Sequence, residues 1–158
     1  MNKLRWCLGI KNGLELVEPN ENLCNAYFKK AENALSAAAT LKENKEWEIS
    51  SRYYAMYFAL YAILMKMGIK CENHNCTIEF MKQCLNQFFE EDDVSLLQSA
   101  MTARVDVQYY TDRTVDEEQY KEIKVKSPLF LVLCKEVYRK VNKETIGQIR
   151  AMVEAQRK

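Results

Sequence analysis

The sequence predicts an all-α protein that folds as an antiparallel up-and-down bundle of four to five long helices. Two observations support this fold class. The 158 residues include only four glycines and two prolines, too few turn residues for the many short strands of a β-sandwich or barrel. Apolar residues also recur at intervals of three and four along most of the chain, which is the spacing of one helix face. The length suits a single domain, with its core over residues 20–141.

The first two long helices are predicted over residues 21–44 and 46–67. Pro19 and Asn20 supply a stop and an N-cap ahead of the first helix, and the residues before Pro19 are expected to form one short helix. The second helix is apolar around most of its circumference, so it should lie at the centre of the bundle. Gly68 follows it as the C-cap.

A third helix is predicted over residues 77–89 and a fourth over residues 94–110, with the acidic run at residues 90–93 as the turn and N-cap between them. In an alternating bundle the second and fourth helices run in the same direction. The loop that contains His74 is therefore expected at the same end of the bundle as residues 109–113.

A fifth helical stretch runs from Asp116 to Val141. Pro128 within it removes a backbone donor, which predicts either a kink or a restart of the helix. Residues 143–158 carry a weaker amphipathic pattern. That pattern fits a short helix, a partner-binding tail or a frayed end.

Composition and charge limit the classes of function. His74 is the only histidine, and the chain has no glycine-rich phosphate loop, which argues against most metallohydrolases, Ser-His-Asp enzymes and P-loop proteins. The net charge is only +1, but from Lys121 onward there are ten Lys and Arg against four Glu. This imbalance permits a basic surface that meets a phosphate backbone or an acidic protein, and ordinary solvated helix faces explain it equally well.

The six cysteines include no Cys-x-x-Cys pair. The N-terminus lacks the apolar region of a secretory signal, and the longest apolar stretch is too short to span a bilayer, so we expect a cytoplasmic protein. In a reducing cytosol isolated cysteines behave mostly as small buried hydrophobic residues.

Cys71, His74 and Cys76 are close enough to suggest a zinc site, but a fourth ligand and the usual paired spacing are missing. We therefore expect no metal and no cofactor.

The second predicted helix contains the run Arg52-Tyr-Tyr-Ala-Met-Tyr57, ends at Gly68 and is followed by His74 in the next loop. This pattern resembles the HEPN (higher eukaryotes and prokaryotes nucleotide-binding) family, whose members carry an Arg-Tyr-Tyr-Ala-x-Tyr/Phe run, a helix-ending Gly and a His in the next loop. The segment from Arg104 to Tyr110 occupies the place of the family's Arg-containing motif on the fourth helix. The resemblance implies a helical bundle, frequent homodimers and a link to RNA.

Many HEPN proteins are ribonucleases, often toxins paired with a minimal nucleotidyltransferase antitoxin. Their catalytic motif is an Arg followed a few residues later by a His. Here Arg104 matches the Arg, but residues 108–110 read Gln-Tyr-Tyr and the His is absent. Cleavage of RNA through its 2′-hydroxyl needs a general base near neutrality, which tyrosine, with an unperturbed pKa of about 10, does not supply.

The resemblance therefore implies an RNA- or nucleotide-binding module without nuclease activity, acting with a nucleotidyltransferase-type partner in a toxin-antitoxin-like pair. Two alternatives stay open. One is an active ribonuclease that uses Arg104 with Tyr109 or His74, and the other is a structural helical adaptor that acts through dimerisation. The candidate residues for binding RNA or a nucleotide are Arg104, Tyr109, His74, Arg52 and Arg113.

Helical projection assigns some of these residues to a face. Arg104 lies at the edge of the apolar face of its helix, where it either holds a phosphate or pairs with an acidic residue of another helix. Tyr109 points away from the core and is able to stack on a base. Tyr53, Tyr57 and Tyr110 are expected in the core, with their hydroxyls reaching polar partners.

The last two candidates have two interpretations each. Arg52 faces away from the apolar stripe of its helix, as a surface charge or as part of a partner contact. His74, flanked by two asparagines, is interpreted first as a cap of the third helix. The functional alternative places it near Tyr109 and Arg113 as a base or ligand that replaces the missing histidine.

Overall fold

The structure, a computed structural model, describes residues 2–157 and contains, within them, seven helices and one two-stranded sheet. This composition confirms the all-α fold class. The four longest helices, α2, α3, α5 and α6, form the bundle. The elements in chain order are α1 (Lys3–Gly9), β1 (Leu14–Leu16), α2 (Glu21–Thr40), α3 (Lys45–Met67), β2 (Ile69–Cys71), α4 (His74–Cys84), α5 (Glu91–Tyr109), α6 (Glu117–Lys140) and α7 (Lys143–Ala155).

Helix α3 is the central element, as its sequence predicts. Most of its side chains are buried, and α2, α5 and α6 all pack against it. Asn44 caps its first turn by accepting a hydrogen bond from the N–H of Trp47. Gly68 ends the helix with a φ of 69°, and a Cβ there would lie 2.3 Å from the carbonyl oxygen of Val17. The predicted glycine C-cap is therefore confirmed.

The direction of α6 relative to α3 differs from the one predicted for five alternating helices. Glu48 is joined to Tyr120 and Lys66 to the carbonyl of Tyr138, so residues further along α3 meet residues further along α6. The two helices are parallel, whereas five alternating helices would make them antiparallel. The reason is that α4 has only 11 residues and belongs, with β2, to the connection between α3 and α5.

Helix α5 runs against α3. Arg104 lies beside Tyr53, whereas Tyr109, further along α5, lines a cleft with Trp47, which is earlier on α3. The expectation that the second and fourth predicted helices run in the same direction is therefore wrong. The expectation treats the third predicted helix as one that crosses the whole bundle. In the structure β2 already turns the chain back along α3 before α4 begins, so α5 runs opposite to α3.

Helix α6 is a single helix with Pro128 inside it, so the predicted restart does not occur. Proline has no N–H, which leaves the carbonyl of Lys124 without its helical partner. That carbonyl instead accepts a hydrogen bond of 3.2 Å from Nη1 of Arg52. An arginine from α3 thus satisfies the group that proline leaves unpaired, which the sequence pattern of α6 alone does not reveal.

The N-terminal segment contains a strand as well as the predicted short helix. β1 pairs antiparallel with β2, so that Leu14 lies opposite Cys71 and Leu16 opposite Ile69. The sequence does not predict this sheet, because strands of three residues are too short to show an alternating pattern. β2 also packs against α3.

Residues 143–155 form α7. Of the three interpretations of the C-terminal segment, the short helix is therefore the one that the structure shows. Arg150 ties it to the rest of the fold. Its Nη1 donates to the carbonyl oxygens of Val17, Met67 and Gly68 at 2.8–3.0 Å. Helix α7 thereby stabilises the junction where α3 ends. Among residues 2–157 no helix is both long and apolar enough to cross a membrane.

Candidate functional site

The aromatic run of α3 presents its side chains to different neighbours. Arg52 faces α6, whereas Tyr53 and Tyr57 face the start of α4. Residues four apart lie on the same side of a helix, and accordingly Tyr53 stacks on Tyr57 with ring centres 6.0 Å apart and Tyr54 on Phe58 at 5.5 Å. The expectation that Tyr53 and Tyr57 are core residues is confirmed by their burial.

His74 is the first residue of α4 and lies against these tyrosines. Its ring centre is 4.1 Å from that of Tyr57, with the planes 5° apart, and 5.8 Å from that of Tyr53. It does not cap the helix, because the side-chain oxygen of Asn73 accepts the hydrogen bond from the N–H of Cys76. The predicted capping role is therefore wrong. Asn73 takes the N-cap position, which leaves the imidazole to pack on α3.

A hydrogen bond of 2.5 Å joins the hydroxyl of Tyr53 to Nδ1 of His74. Burial raises the pKa of Tyr53, and burial together with the positive charge of Arg104 lowers the pKa of His74. At neutral pH the tyrosine keeps its proton and the histidine is neutral, so the hydroxyl donates to Nδ1. Nε2 then carries the ring hydrogen and is the donor that the imidazole offers to a ligand.

Arg104 reaches the same tyrosines from α5. Its guanidinium carbon lies 5.3 Å from the ring centre of Tyr53 and 5.1 Å from that of Tyr54, within the range of a cation–π contact. Its Nε donates to Oε1 of Gln108 at 2.9 Å. The residue is only 9% exposed, yet no acidic side chain in residues 2–157 forms an ion pair with it. The predicted alternative of pairing with an acidic residue is therefore wrong for this part of the chain.

His74 and Arg104 are thus neighbours that approach one pair of tyrosine rings from two helices. Arg104 is close enough for its charge to lower the pKa of His74. The arrangement places a guanidinium and an imidazole N–H together, and among residues 2–157 no carboxylate pairs with the guanidinium. Such an arrangement suits an anionic ligand such as a phosphate. We call His74, Arg104, Tyr53, Tyr54 and Tyr57 the His–Arg cluster.

Arg52 belongs to a different, buried network. Its Nε and Nη2 lie 3.0 Å from Oε1 of Glu48, and its Nη1 donates to the hydroxyl of Ser127 at 3.1 Å. The hydroxyl of Tyr120 donates to the other carboxylate oxygen of Glu48. Arg52 is 8% exposed and Glu48 is fully buried. The expectation of a surface charge or a partner contact is wrong, because α6 covers this side of α3.

The remaining candidates lie at the end of α5. Tyr109 is 69% exposed, on the outside as predicted. Tyr110 is 43% exposed, so its expected place in the core is wrong, since α5 ends one residue earlier. Arg113 forms an ion pair of 2.8 Å with Asp106, and its guanidinium lies 3.5 Å from the ring centre of Tyr110. The structure therefore brings His74 to Arg104 rather than to Tyr109 and Arg113.

A disulfide bond joins Cys7 to Cys76 and ties α1 to the first turn of α4. The expectation that all cysteines are isolated thiols is wrong for this pair, which is 69 residues apart in sequence and meets only because α1 packs on α4. The bond removes Cys76 from the zinc ligand set considered above, and Sγ of Cys71 donates to the carbonyl of Asn73. Disulfides persist mainly in oxidising compartments, so this bond does not favour the predicted cytoplasmic location.

A cleft of about 620 Å³ adjoins the His–Arg cluster between α2, α3 and the sheet. Tyr57 belongs to both. The ring of Tyr27 meets Tyr61 edge-on at 4.8 Å, and Nζ of Lys30 lies 5.0 Å from the ring centre of Phe58. Two carboxylates, Glu18 and Glu72, also line the cleft. Its aromatic walls are typical of sites that stack a flat base. We call this the aromatic cleft.

Sequence reasoning therefore found the two polar members of the site and missed its aromatic walls. The spacing of four residues that relates Tyr54 to Phe58 and Tyr57 to Tyr61 is the signal that was present, but such rows are also typical of an ordinary core. From the sequence, Gln108 is only the residue that stands in place of a histidine. In the structure it accepts the Nε hydrogen of Arg104 and so orients the guanidinium.

Fold and cluster together define the class: an all-α bundle that carries an arginine and a histidine against the aromatic face of its central helix. A family model described as HEPN domain matches residues 24–137, well over half of the chain. The chain belongs to the HEPN family, and the resemblance inferred from the sequence is confirmed. As a HEPN domain it is a nucleotide- or RNA-related module. No curated protein matches the chain.

Proposed function

We propose that this protein binds RNA or a nucleotide through the His–Arg cluster and does not cleave it. The observation that carries the proposal is the convergence of Arg104 and His74 on Tyr53, with no carboxylate of the described residues 2–157 paired to Arg104. A nearly buried cation is costly unless a counter-charge completes it. A phosphate group supplies that charge and accepts hydrogen bonds from both the guanidinium and Nε2 of His74.

The aromatic cleft supports a ligand that contains a base as well as a phosphate. It shares Tyr57 with the cluster, so the cleft and the cluster adjoin each other at that ring. Base–aromatic stacking contributes about 1–3 kcal/mol per base and tolerates different sequences. The proposal therefore predicts binding of single-stranded RNA with little sequence preference.

Two features argue for binding over cleavage. Gln108 occupies the first position after Arg104 at which the family motif has its histidine, and an amide side chain does not act as a general base. Nδ1 of His74 is already the acceptor of the Tyr53 hydroxyl hydrogen. Its other nitrogen carries the ring hydrogen, so neither nitrogen is ready to take a proton from a 2′-hydroxyl.

A second candidate function is ribonuclease activity with His74 in place of the motif histidine. The observation that favours it is the lowered pKa of His74, which keeps the imidazole neutral at neutral pH, the form that a base requires. In this version Tyr53 releases Nδ1 when RNA binds. Arg104 would then stabilise the charge that develops on the scissile phosphate.

The partner proposal is separate from the site. We propose that the protein acts with a nucleotidyltransferase-type partner in a toxin-antitoxin-like pair, and membership of the HEPN family supports this. Co-purification with the product of a neighbouring gene, followed by a change in RNA binding on adding that product, tests it. The binding site proposed for RNA stands or falls independently of this partner.

The test of the site is RNA binding by fluorescence anisotropy with a short labelled single-stranded RNA. We expect Arg104→Gln to weaken binding at least about tenfold, since a hydrogen bond to a charged group contributes about 1.5–3 kcal/mol. His74→Ala should weaken it as well. Arg113→Gln is the matched control, because it removes an exposed arginine near the same end of α5, and it should leave the affinity almost unchanged.

The same RNA, incubated and separated on a gel, decides between binding and cleavage. Intact RNA supports the first proposal. Cleavage that is lost in both Arg104→Gln and His74→Ala supports the ribonuclease instead. Equal RNA affinity for the wild type and for Arg104→Gln would contradict both, because each assigns the phosphate to Arg104.

A further inference from the structure

A second cleft, of about 250 Å³, lies between the start of α3 and the end of α5. Two large aromatic side chains line it, Trp47 from α3 and Tyr109 from α5, and they are 58% and 69% exposed. Neither ring stacks on another aromatic ring within residues 2–157. Both rings are therefore free to stack on a flat ligand. We call this the Trp47 cleft.

The hydroxyl of Ser50 is buried in the wall of the same cleft. The residue is only 3% exposed, and its Oγ has no hydrogen-bond partner among residues 2–157. A serine within a helix usually satisfies its hydroxyl on a main-chain carbonyl one turn earlier. A buried polar atom that stays unpaired is costly and uncommon, so a polar atom of a ligand in the cleft would complete Ser50.

Gln108 connects the Trp47 cleft to the His–Arg cluster. The residue lines the cleft, and its Oε1 accepts the Nε hydrogen of Arg104 at 2.9 Å. Its Nε2 makes no hydrogen bond in the described part of the chain and is available to a ligand. The charged residue that lines the cleft is Glu46, which disfavours a phosphate inside it. The phosphate position is next to the cleft, at Arg104.

A row of residues on α3 sets the order of the three features. Ser50, Tyr54 and Phe58 are four residues apart and therefore lie on one side of the helix. Ser50 lines the Trp47 cleft, Tyr54 belongs to the His–Arg cluster, and Phe58 lines the aromatic cleft. The row spans about 12 Å at 1.5 Å per residue. Along α3 the His–Arg cluster thus lies between two clefts with aromatic walls.

We propose that the Trp47 cleft is a second base site, and that the ligand is a single-stranded oligonucleotide rather than a single nucleotide. The proposal rests on the proposed function, because the phosphate between the two bases is the one assigned to Arg104. A phosphate that links two nucleotides carries a base on each side, as the cluster carries a cleft on each side. One base stacks on Trp47 and Tyr109 in this arrangement. Its polar edge bonds to Ser50 and to Nε2 of Gln108.

The polar groups of the cleft favour a base over an aromatic side chain of a protein partner. A phenyl ring would fill the space between the aromatic walls but would leave Ser50 and Nε2 of Gln108 unpaired. It would also bring no anion to Arg104. A hydroxyl both donates and accepts hydrogen bonds, so Ser50 suits more than one kind of base, in agreement with a low sequence preference.

Tryptophan fluorescence tests the stacking directly. The chain has two tryptophans, so in a Trp6→Phe background the signal comes from Trp47 alone. The probes are the dinucleotide ApA and adenosine 5′-monophosphate. We expect ApA to quench Trp47 and to bind at least about fivefold more tightly than the mononucleotide, since a second base is stacked. Equal affinities of the two probes overturn the assignment of an oligonucleotide ligand.

Truncation of the wall tests the same site with a labelled single-stranded RNA in fluorescence anisotropy. Trp47→Ala should weaken binding at least about fivefold, whereas Trp47→Phe, which keeps an aromatic ring, should retain most of the affinity. Trp6→Ala is the matched control, because it removes the other exposed tryptophan from α1, outside the cleft. Its affinity should equal that of the wild type.

Ser50→Ala separates a binding role from a structural one. The variant should weaken RNA binding about twofold to tenfold through the loss of one hydrogen bond. Its melting temperature should not fall, because the hydroxyl has no partner to lose within residues 2–157 of the free protein. A lower melting temperature with unchanged RNA affinity would assign Ser50 to the fold and overturn its role in the site.

These measurements also distinguish the second base site from the proposed function. If Arg104→Gln weakens RNA binding and Trp47→Ala does not, the phosphate site stands and the second base site is overturned. If Trp47→Ala leaves RNA affinity unchanged but abolishes binding of a protein partner, the cleft belongs to that partner and the base site is again overturned. RNA that neither binds nor quenches Trp47 overturns both proposals.

Discussion

Arg52 and Arg104 are both nearly buried, at 8% and 9% exposure, but their surroundings differ in kind. Arg52 contacts a carboxylate, a hydroxyl and a main-chain carbonyl. Arg104 contacts an amide oxygen and two tyrosine rings, with no carboxylate in residues 2–157. A buried charge with a complete set of partners stabilises the fold, whereas one without a counter-ion is poised to bind an anion. The comparison supports a structural role for Arg52, and under the proposed function Arg104 is the residue that binds the ligand.

The difference also explains why one short aromatic run serves two purposes. Side chains one residue apart on a helix point about 100° away from each other. Arg52 therefore reaches α6, while Tyr53 reaches His74 on α4. The same turn of α3 therefore contacts α6 on one side and contributes Tyr53 to the His–Arg cluster on the other.

The largest expected effect is the loss of stability on replacing Arg52. Arg52→Met leaves the carboxylate of Glu48 fully buried without its cation. Breaking a buried pair in this way costs about 3–5 kcal/mol, and the carbonyl opposite Pro128 also loses its donor. Urea denaturation should show a fall of this size in the free energy of unfolding.

The double variant Glu48→Gln/Arg52→Met is the control for this prediction. It removes the buried negative charge together with the cation, so it should recover part of the lost stability. If Arg52→Met alone lowers the free energy of unfolding by less than about 1 kcal/mol, the structural role of Arg52 is contradicted. The contrast drawn between Arg52 and Arg104 then fails.

Removal of the disulfide is expected to have the next largest effect. It tests whether the helix that carries His74 is held by the bond between Cys7 and Cys76. Cys7→Ser should lower the free energy of unfolding by about 2–4 kcal/mol. A reductant should lower the melting temperature of the wild type to that of the variant and leave the variant unchanged. A wild type that does not respond to reductant would show that the bond contributes nothing to stability.

The smallest expected change in stability is that of Arg104→Gln. The substitution loses two cation–π contacts and one hydrogen bond, which together contribute about 2–3 kcal/mol. This loss is offset because the substitution also removes a nearly buried charge that has no ion-pair partner among residues 2–157. Thermal denaturation should therefore place this variant close to the wild type. A loss as large as that of Arg52→Met would show that Arg104 is structural and would remove the distinction between the two arginines.

The sequence predicted the central place of α3 because its apolar residues continue around most of the helix, a pattern that needs no tertiary information. It did not predict the direction of α5. That direction depends on β2, whose three residues carry no readable periodicity, and on its pairing with a strand more than fifty residues earlier. Short strands and distant pairings are the features that single-helix patterns do not contain.

The sequence predicts the polar residues of the candidate site, but it does not predict which of them lie next to each other. His74 and Arg104 were both candidates, but the wrong direction for the fourth predicted helix placed His74 near Tyr109 and Arg113 instead. The sequence correctly places Arg52 on the side of α3 away from the apolar stripe. Its prediction that Arg52 lies at the surface is wrong, because α6 covers that side of the helix. Which helix covers a face is a property of the packing, not of the helix.

The most direct test of the account is the pKa of His74, measured by NMR on protein without a histidine tag. His74 is the only histidine, so its ring signals need no assignment by mutation. In the free protein we expect a pKa below the ordinary value of 6.5, because of burial and the charge of Arg104. Arg104→Gln should raise this pKa by removing that charge.

Addition of a short single-stranded RNA completes the measurement. The account predicts that RNA raises the pKa of His74 in the wild type, because a nearby phosphate stabilises the protonated imidazole. In Arg104→Gln the RNA should have little effect, since the phosphate is no longer held. A pKa at the ordinary value that neither Arg104→Gln nor RNA changes would contradict the assignment of the His–Arg cluster as the ligand site.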